Sequence, residues 1–350
     1  MKIGVIVHGP EVIDSGMAVR VMGVLEKRAE VHATLGGAMG AAAIIDAGLE
    51  GRISIVPRQL VSDAIRAMDG SFDAVAVLNW SKSRESGLGF AAIVFSRVAN
   101  TTVPIIHLDR DFYVEWRPSV PELLRAAAED LGLEEVPFPA PERRVDGVRS
   151  VHGVIPGENI WINGNVVGRA TSRDVRVRLR DGELTLDNVR IKEHGLQKVK
   201  VDDLSRAVIR TGSVRRTRSE LRRVPPATGE RLILIDHRAE DAIFRAKGAR
   251  AAITVGDDTT RISRSLLARL GVPVIGIIDG DEDGICLDDA SAPGSAAILL
   301  KPGNDDQLGE EVRRTIFGGG QEITYSGSLG ELVERITAMA GNALVDVKRN

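Results

Sequence analysis

Residues 272–284 read VPVIGIIDGDEDG, an apolar run that ends in three aspartates, Asp279, Asp281 and Asp283. Carboxylates this close repel one another and call for a cation, a basic side chain or open water. Oxygen ligands at this density suit Mg²⁺ or Mn²⁺, so the expected cofactor is magnesium or manganese. A solvated acidic loop is the alternative. Asp236 closes another apolar run and is the candidate catalytic residue, as a general base or a further metal ligand. Gly256, Asp257, Asp258, Thr259 and Thr260 sit where a strand passes into a helix. Free N–H groups at a helix start suit phosphate. Two aspartates there favour a metal-bridged anion over a bare one. Capping of the helix by Asp258 or Thr259 is the plainer role.

The N-terminal third offers a second set. His8, Gly36, Gly37, Asn79, Lys82 and His107 each follow or end an apolar run. Lys82 is placed to pair with a phosphate or an acidic ligand, and His8 and His107 to meet over one pocket. As single residues they also read as a surface cation and two structural histidines. The turn LGGAMG at 35–40 joins a strand to a helix but lacks GxGxxG, and no acidic residue ends the next strand. Dinucleotide binding is therefore a weaker reading there than a tight, closely packed turn.

These residues need elements that bring them together. Residues 1–140 alternate apolar runs at 3–7, 31–35, 53–56, 74–78 and 104–108 with helical patterns such as 15–28 and 88–98. That is the signature of a Rossmann-like parallel sheet covered on both faces. Residues 147–212 change character. Asn163-Gly164 and Asp181-Gly182 each sit between short alternating runs, which predicts two hairpins. A short helix is expected at 202–210. Residues 213–229 form a basic linker, residues 230–320 a second α/β domain with strands at 232–235, 251–255 and 272–278, and residues 321–350 a helical tail. The expected class is α/β: two parallel-sheet units with a small antiparallel β unit between them. Parallel strands carry their carboxyl ends to one edge, so Asp236, 256–260 and 279–283 should share one neighbourhood, and His8, Gly36, Asn79 and His107 another.

Composition narrows the partners. The 350 residues carry a formal net charge of −3, so a nucleic-acid surface must be local. Arg206, Arg210, Arg215, Arg216, Arg218, Arg222 and Arg223 supply such a patch, for a small phosphate-containing ligand or a nucleic acid. Aromatics at 3% leave few stacking platforms. The single Cys286 allows no internal disulfide. No apolar run is long enough for a membrane helix, and the start MKIGVIV lacks a signal-peptide layout. The expectation is a cytoplasmic protein with no membrane partner; an oligomer is left open.

Two resemblances add to this reading. The β-α-β-α-β order ending in Asp279-x-Asp281-x-x-Gly284 resembles the Toprim superfamily of nucleotidyl-transfer and hydrolysis domains. That resemblance implies Mg²⁺ held by Asp279 and Asp281; where the superfamily has a glutamate after the first strand, this chain has Asp236. Across most of the chain, HGPEVIDSG, LGGAMG, NGNVVGRATS, IKEHGL, GDDTT and IGIIDGDEDG resemble an uncharacterised archaeal family found mainly in methanogens. The function expected is a Mg²⁺-dependent enzyme acting on a phosphate-containing nucleotide or nucleic acid. The alternative is a non-catalytic ligand-binding or assembly protein of archaeal cofactor metabolism, with its pocket at the first unit's strand edge.

Overall fold

The computed structural model describes all residues except 58, 118, 140–146, 213–224, 237–238, 240–241, 281–289 and 350. The chain divides into two compact units, residues 1–212 and 213–350.

The first unit opens with strands β1 (Lys2–Val7), β2 (Glu30–Leu35), β3 (Ile53–Ser54), β4 (Ala74–Leu78), β5 (Ile105–Leu108), β6 (Phe112–Glu115) and β7 (Glu134–Glu135). Helices α1 (Glu11–Asp14), α2 (Met17–Leu25), α3 (Ala41–Asp46), α4 (Val61–Met68), α5 (Arg84–Arg97) and α6 (Glu122–Asp130) alternate with them. The sheet order is β3-β2-β1-β4-β5-β6-β7, and β1 to β5 run parallel. This confirms the Rossmann-like expectation, with β6 added antiparallel to β5. Buried on both faces, β1 and β4 are apolar almost throughout, as parallel strands must be. One core layer joins Ile6, Val75, Val77 and Ile105 to Val61 and Ile65 of α4 and Ala91 and Val94 of α5. The helix expected over 15–28 is found as the shorter α2, which begins after Gly16, a residue with a left-handed φ of 74° that separates it from α1.

The same unit continues through β8 (Val148–Val151), β9 (Asn159–Ile162), β10 (Asn165–Ala170), β11 (Val175–Arg180), β12 (Glu183–Asp187), β13 (Val189–Ile191), helix α7 (Glu193–Gln197) and β14 (Ile209–Thr211). They form two antiparallel sheets, β13-β10-β9-β14 and β12-β11-β8, over one core that includes Val154, Ile160, Val167, Val177 and Leu204. Both hairpins form as expected. Asn163 and Gly164, like Asp181 and Gly182, hold positive φ, as a two-residue turn matching strand twist requires. The helix expected at 202–210 does not form. Asp203 takes the Ser205 amide and hydroxyl at 2.7 and 2.6 Å, a local turn that competes with helix. Residues Ile209–Thr211 then pair with β9.

The second unit contains β15 (Arg231–Asp236), α8 (Ala242–Arg245), β16 (Ala249–Val255), α9 (Asp257–Ala268), β17 (Val274–Ile278), β18 (Ala296–Leu300), α10 (Asp305–Thr315), β19 (Glu322–Thr324), α11 (Leu329–Ala340) and β20 (Leu344–Arg349). The sheet order is β19-β15-β16-β17-β18-β20, with β15 to β18 parallel. Period-two alternation decides which helix lies on which face. Ile253, Val255, Ile275 and Ile277 pack with Leu308 and Val312 of α10 and Leu332 and Ile336 of α11. Thr254 and Gly276 face the other way, onto α9. A Cβ on Gly276 would come 2.2 Å from Thr260 Cγ2, so only glycine admits the helix this close. The segment 321–350 is more than a helical tail. β19 and β20 pair antiparallel with β15 and β18 and close both sheet edges. Among the described residues no helix is long and apolar enough to cross a membrane.

Candidate functional site at the first unit's strand edge

The order β3-β2-β1-β4-β5 reverses direction between β1 and β4, and ligands of open α/β sheets bind at such a switch point. His8 follows β1 and Asn79 follows β4, one on each side of it. Asp109 follows β5. Four hydrogen bonds link these strand ends. Asn79 Nδ2 donates to Asp109 Oδ2 at 2.9 Å. Asn79 Oδ1 lies 3.0 Å from His8 Nδ1. Ser81 donates its backbone N–H and its hydroxyl to Asp109 Oδ1, at 2.7 and 2.9 Å. The Arg110 amide adds a further donor at 2.7 Å.

Asp109 is fully buried and receives all these donors. His107 Nε2 stands 3.3 Å from Asp109 Oδ2. Burial pushes the carboxyl's pKa up, but His107 and the Ser81 and Arg110 amides outweigh it and hold it at about 2. For His8, burial lowers the imidazole pKa, against the opposing pull of the Asn79 hydrogen bond. The ring is clamped by Phe90, stacked at 4.4 Å and 18°.

The sequence-chosen residues divide. His8 and Asn79 come together and are joined directly. His107 meets them only through Asp109 and the edge of Phe90, 5.5 Å from its ring centre, and is entirely buried. Gly36 and Gly37 lie at the end of β2. Their amides are already donated, to Val7 O and Gln59 O, so neither is open to a phosphate. A Cβ on Gly36 would come 2.6 Å from Val61, which supports the tight-turn reading. Lys82 does not face the edge as a phosphate-binding cation. Its ammonium sits 2.7 Å from both Glu158 oxygens and 2.6 Å from Thr211 Oγ1, tying the segment before α5 to the β sheets. Asp109, the hub of the network, follows a strand in plain view, yet a lone aspartate there carries no signal of its four donors. Ser81 and Phe90 were equally silent.

In the second unit Asp236, Gly256 and Asp279 all end parallel strands at one edge, as the strand pattern requires. β16 separates β15 from β17, so Asp236 and Asp279 are anchored about 10 Å apart at ordinary strand spacing. Part of the 256–260 loop is bonded within the unit. The Gly256 amide donates to Ile277 O, and Thr260 Oγ1 lies 2.7 Å from Thr254 Oγ1. The helix starts at Asp257, earlier than expected, so neither Asp258 nor Thr259 caps it. Asp257 instead accepts the amides of Asp279 and Gly280 at 2.9 and 3.1 Å. Asp279 Oδ2 takes the Gly303 amide at 2.5 Å, while its Oδ1 is buried without a hydrogen bond among the described residues. Asp281 and Asp283 lie outside the described residues, as do Cys286 and Arg215, Arg216, Arg218, Arg222 and Arg223. Arg210 lies over the Trp161 ring at 4.4 Å. Among the described residues no group of three or more His, Cys, Asp or Glu is arranged to hold a metal ion.

Residues 5–320 match a family described as an uncharacterized protein conserved in archaea, DUF2117. The chain belongs to this family. It is 36% identical over 334 residues to an uncharacterized protein of Methanocaldococcus jannaschii, covering 90% of this chain and 92% of that one. No solved structure matches it.

Proposed function

We propose that this chain binds a small polar molecule at the switch point of its first sheet, as a ligand-binding protein of archaeal cofactor metabolism. The observation that carries this reading is the Asp109–Asn79–His8 hydrogen-bonded row across the ends of β5, β4 and β1. It spends a buried carboxylate and a buried amide on fixing one half-buried histidine, at the place where α/β sheets take ligands. Packing alone would be served by apolar side chains at lower desolvation cost. A cytoplasmic location belongs to the same proposal, in keeping with a single cysteine in 350 residues. The test is recovery of a small molecule from fractionated archaeal extract, identified by mass spectrometry. Retention by the wild type and loss in His8→Gln supports the site; equal retention by both removes it.

A second reading places Mg²⁺-dependent, Toprim-like phosphate chemistry in the second unit. The partnerless Asp279 Oδ1 favours it, since a cation would satisfy that oxygen. Asp281 and Asp283 would complete the ligand set, with Asp236 as outer ligand or base. Bound Mg²⁺ would then polarise a phosphoryl oxygen. Millimolar Mg²⁺ should raise Tm relative to EDTA, and Asp279→Asn should abolish the difference. Equal Tm values in the wild type would end this reading.

A further inference from the structure

The hydrogen-bond row at the switch point has a direction that can be read from its fixed end. Asp109 is ionised and receives the backbone amides of Ser81 and Arg110, so it accepts only. The Asn79 group facing Asp109 must therefore be the Nδ2 amide, a donor. The group facing His8 is then the Asn79 carbonyl Oδ1, which cannot donate. Hence His8 Nδ1 carries a proton. In the neutral ring the lone pair is on Nε2. Among the described residues nothing hydrogen-bonds Nε2, and it is not one of the buried unpartnered atoms, so it opens to solvent. Cδ2, next to Nε2 in the ring, faces Gly37 across about van der Waals distance, 3.9 Å from where a Cβ would stand.

From this geometry we infer that His8 Nε2 is a proton acceptor for a ligand's N–H or O–H group, with Asn79 and Asp109 as positioning residues that act through it. The inference deepens the ligand-site reading and rests on it for the occupant. It adds the class of that occupant: a hydrogen-bond donor at its inner end rather than a phosphate. Two observations support the class. The Gly36 and Gly37 amides are already used, and the nearby cation Lys82 is held by Glu158. The charged and titratable groups acting on His8 are Glu11, Asp109 and His107. The first two are acidic, so the setting does not favour an anion.

The test needs no ligand. In ¹⁵N-histidine-labelled protein, long-range ¹H–¹⁵N correlation distinguishes the two neutral tautomers. His8 should be the Nδ1–H form at pH 7, although free neutral histidine favours Nε2–H. Asn79→Leu should release it to the Nε2–H form while the other histidines keep their signals. A His8 found as Nε2–H, or charged, in the wild type overturns the inference. A second probe, diethyl pyrocarbonate, covers the case in which Asn79→Leu does not fold. It acylates an open unprotonated imidazole nitrogen, so His8 of the wild type should lose less of its modification rate between pH 7 and pH 6 than free histidine does. An unreactive His8, or a rate that falls as for free histidine, contradicts an open, neutral Nε2. A protein that passes both probes yet retains no small molecule from extract would refute the ligand-site reading alone.

Discussion

Asn79 donates to Asp109 at 2.9 Å in the buried interior of the first unit, and through that bond a carboxylate on β5 orients a histidine on β1. A neutral amide between a carboxylate and an imidazole transmits orientation without transmitting charge. Its geometry requires β1, β4 and β5 to be adjacent and parallel, with their carboxyl ends level. The sheet order provides this.

Replacing Asp109 tests the network's structural weight. Asp109→Ala leaves the Asn79 amide, the Ser81 amide and hydroxyl and the Arg110 amide without their acceptor, beside a buried His107. Stranding buried donors and breaking a buried charged contact costs about 3–5 kcal/mol. Urea denaturation should show a loss of that order. A loss below about 1 kcal/mol would mean that solvent already reaches the site.

Acid should destabilise the protein in two steps of known sign. His8 has a folded pKa below its ordinary value of 6.5, so the unfolded chain takes up its proton first. Its contribution is full above pH 6.5 and declines as pH falls below it. Asp109, held at about 2, contributes fully above the ordinary carboxylate value of 3.8 and loses that contribution as pH falls towards 2. Stability measured between pH 8 and 5 should drop in the wild type and drop less in His8→Gln. Parallel curves for the two proteins would contradict a neutral, buried-side His8.

The second unit offers a packing test. Gly276→Ala places a Cβ 2.2 Å from Thr260 Cγ2 and 2.9 Å from its Oγ1. Overpacking of this kind costs about 1–3 kcal/mol. Thr260→Ser removes the nearer atom and should rescue part of the loss in the double variant. Additive losses would show that the strain lies elsewhere.

Much of the scaffold could be read from the residues, and the reason is periodicity. Continuous apolar runs such as Ala74–Leu78 and turn pairs such as Asn163-Gly164 are local signals that tertiary structure did not override. β19 and β20 were missed because their neighbours are remote in sequence. Leu344–Arg349, for instance, reads as a polar tail until it pairs with β18. At the candidate site, His8 and Asn79 could be placed together because both end parallel strands. Partnerships of single charges could not: Lys82 finds Glu158, 76 residues away, and Asp109 collects donors from Asn79 and Ser81 as well as from Arg110. The bonding of Asp257 was hidden for a related reason. Its carboxylate accepts the amides after β17.

The most direct test of the central claim is a backbone amide shift map, recorded while the small molecule recovered from archaeal extract is titrated into the full chain. The account predicts that the largest changes fall on residues 8–9, 36–37 and 79–81, with residues 236, 256–260 and 279 unmoved. Changes confined to that second group, with His8 and Asn79 silent, would contradict it.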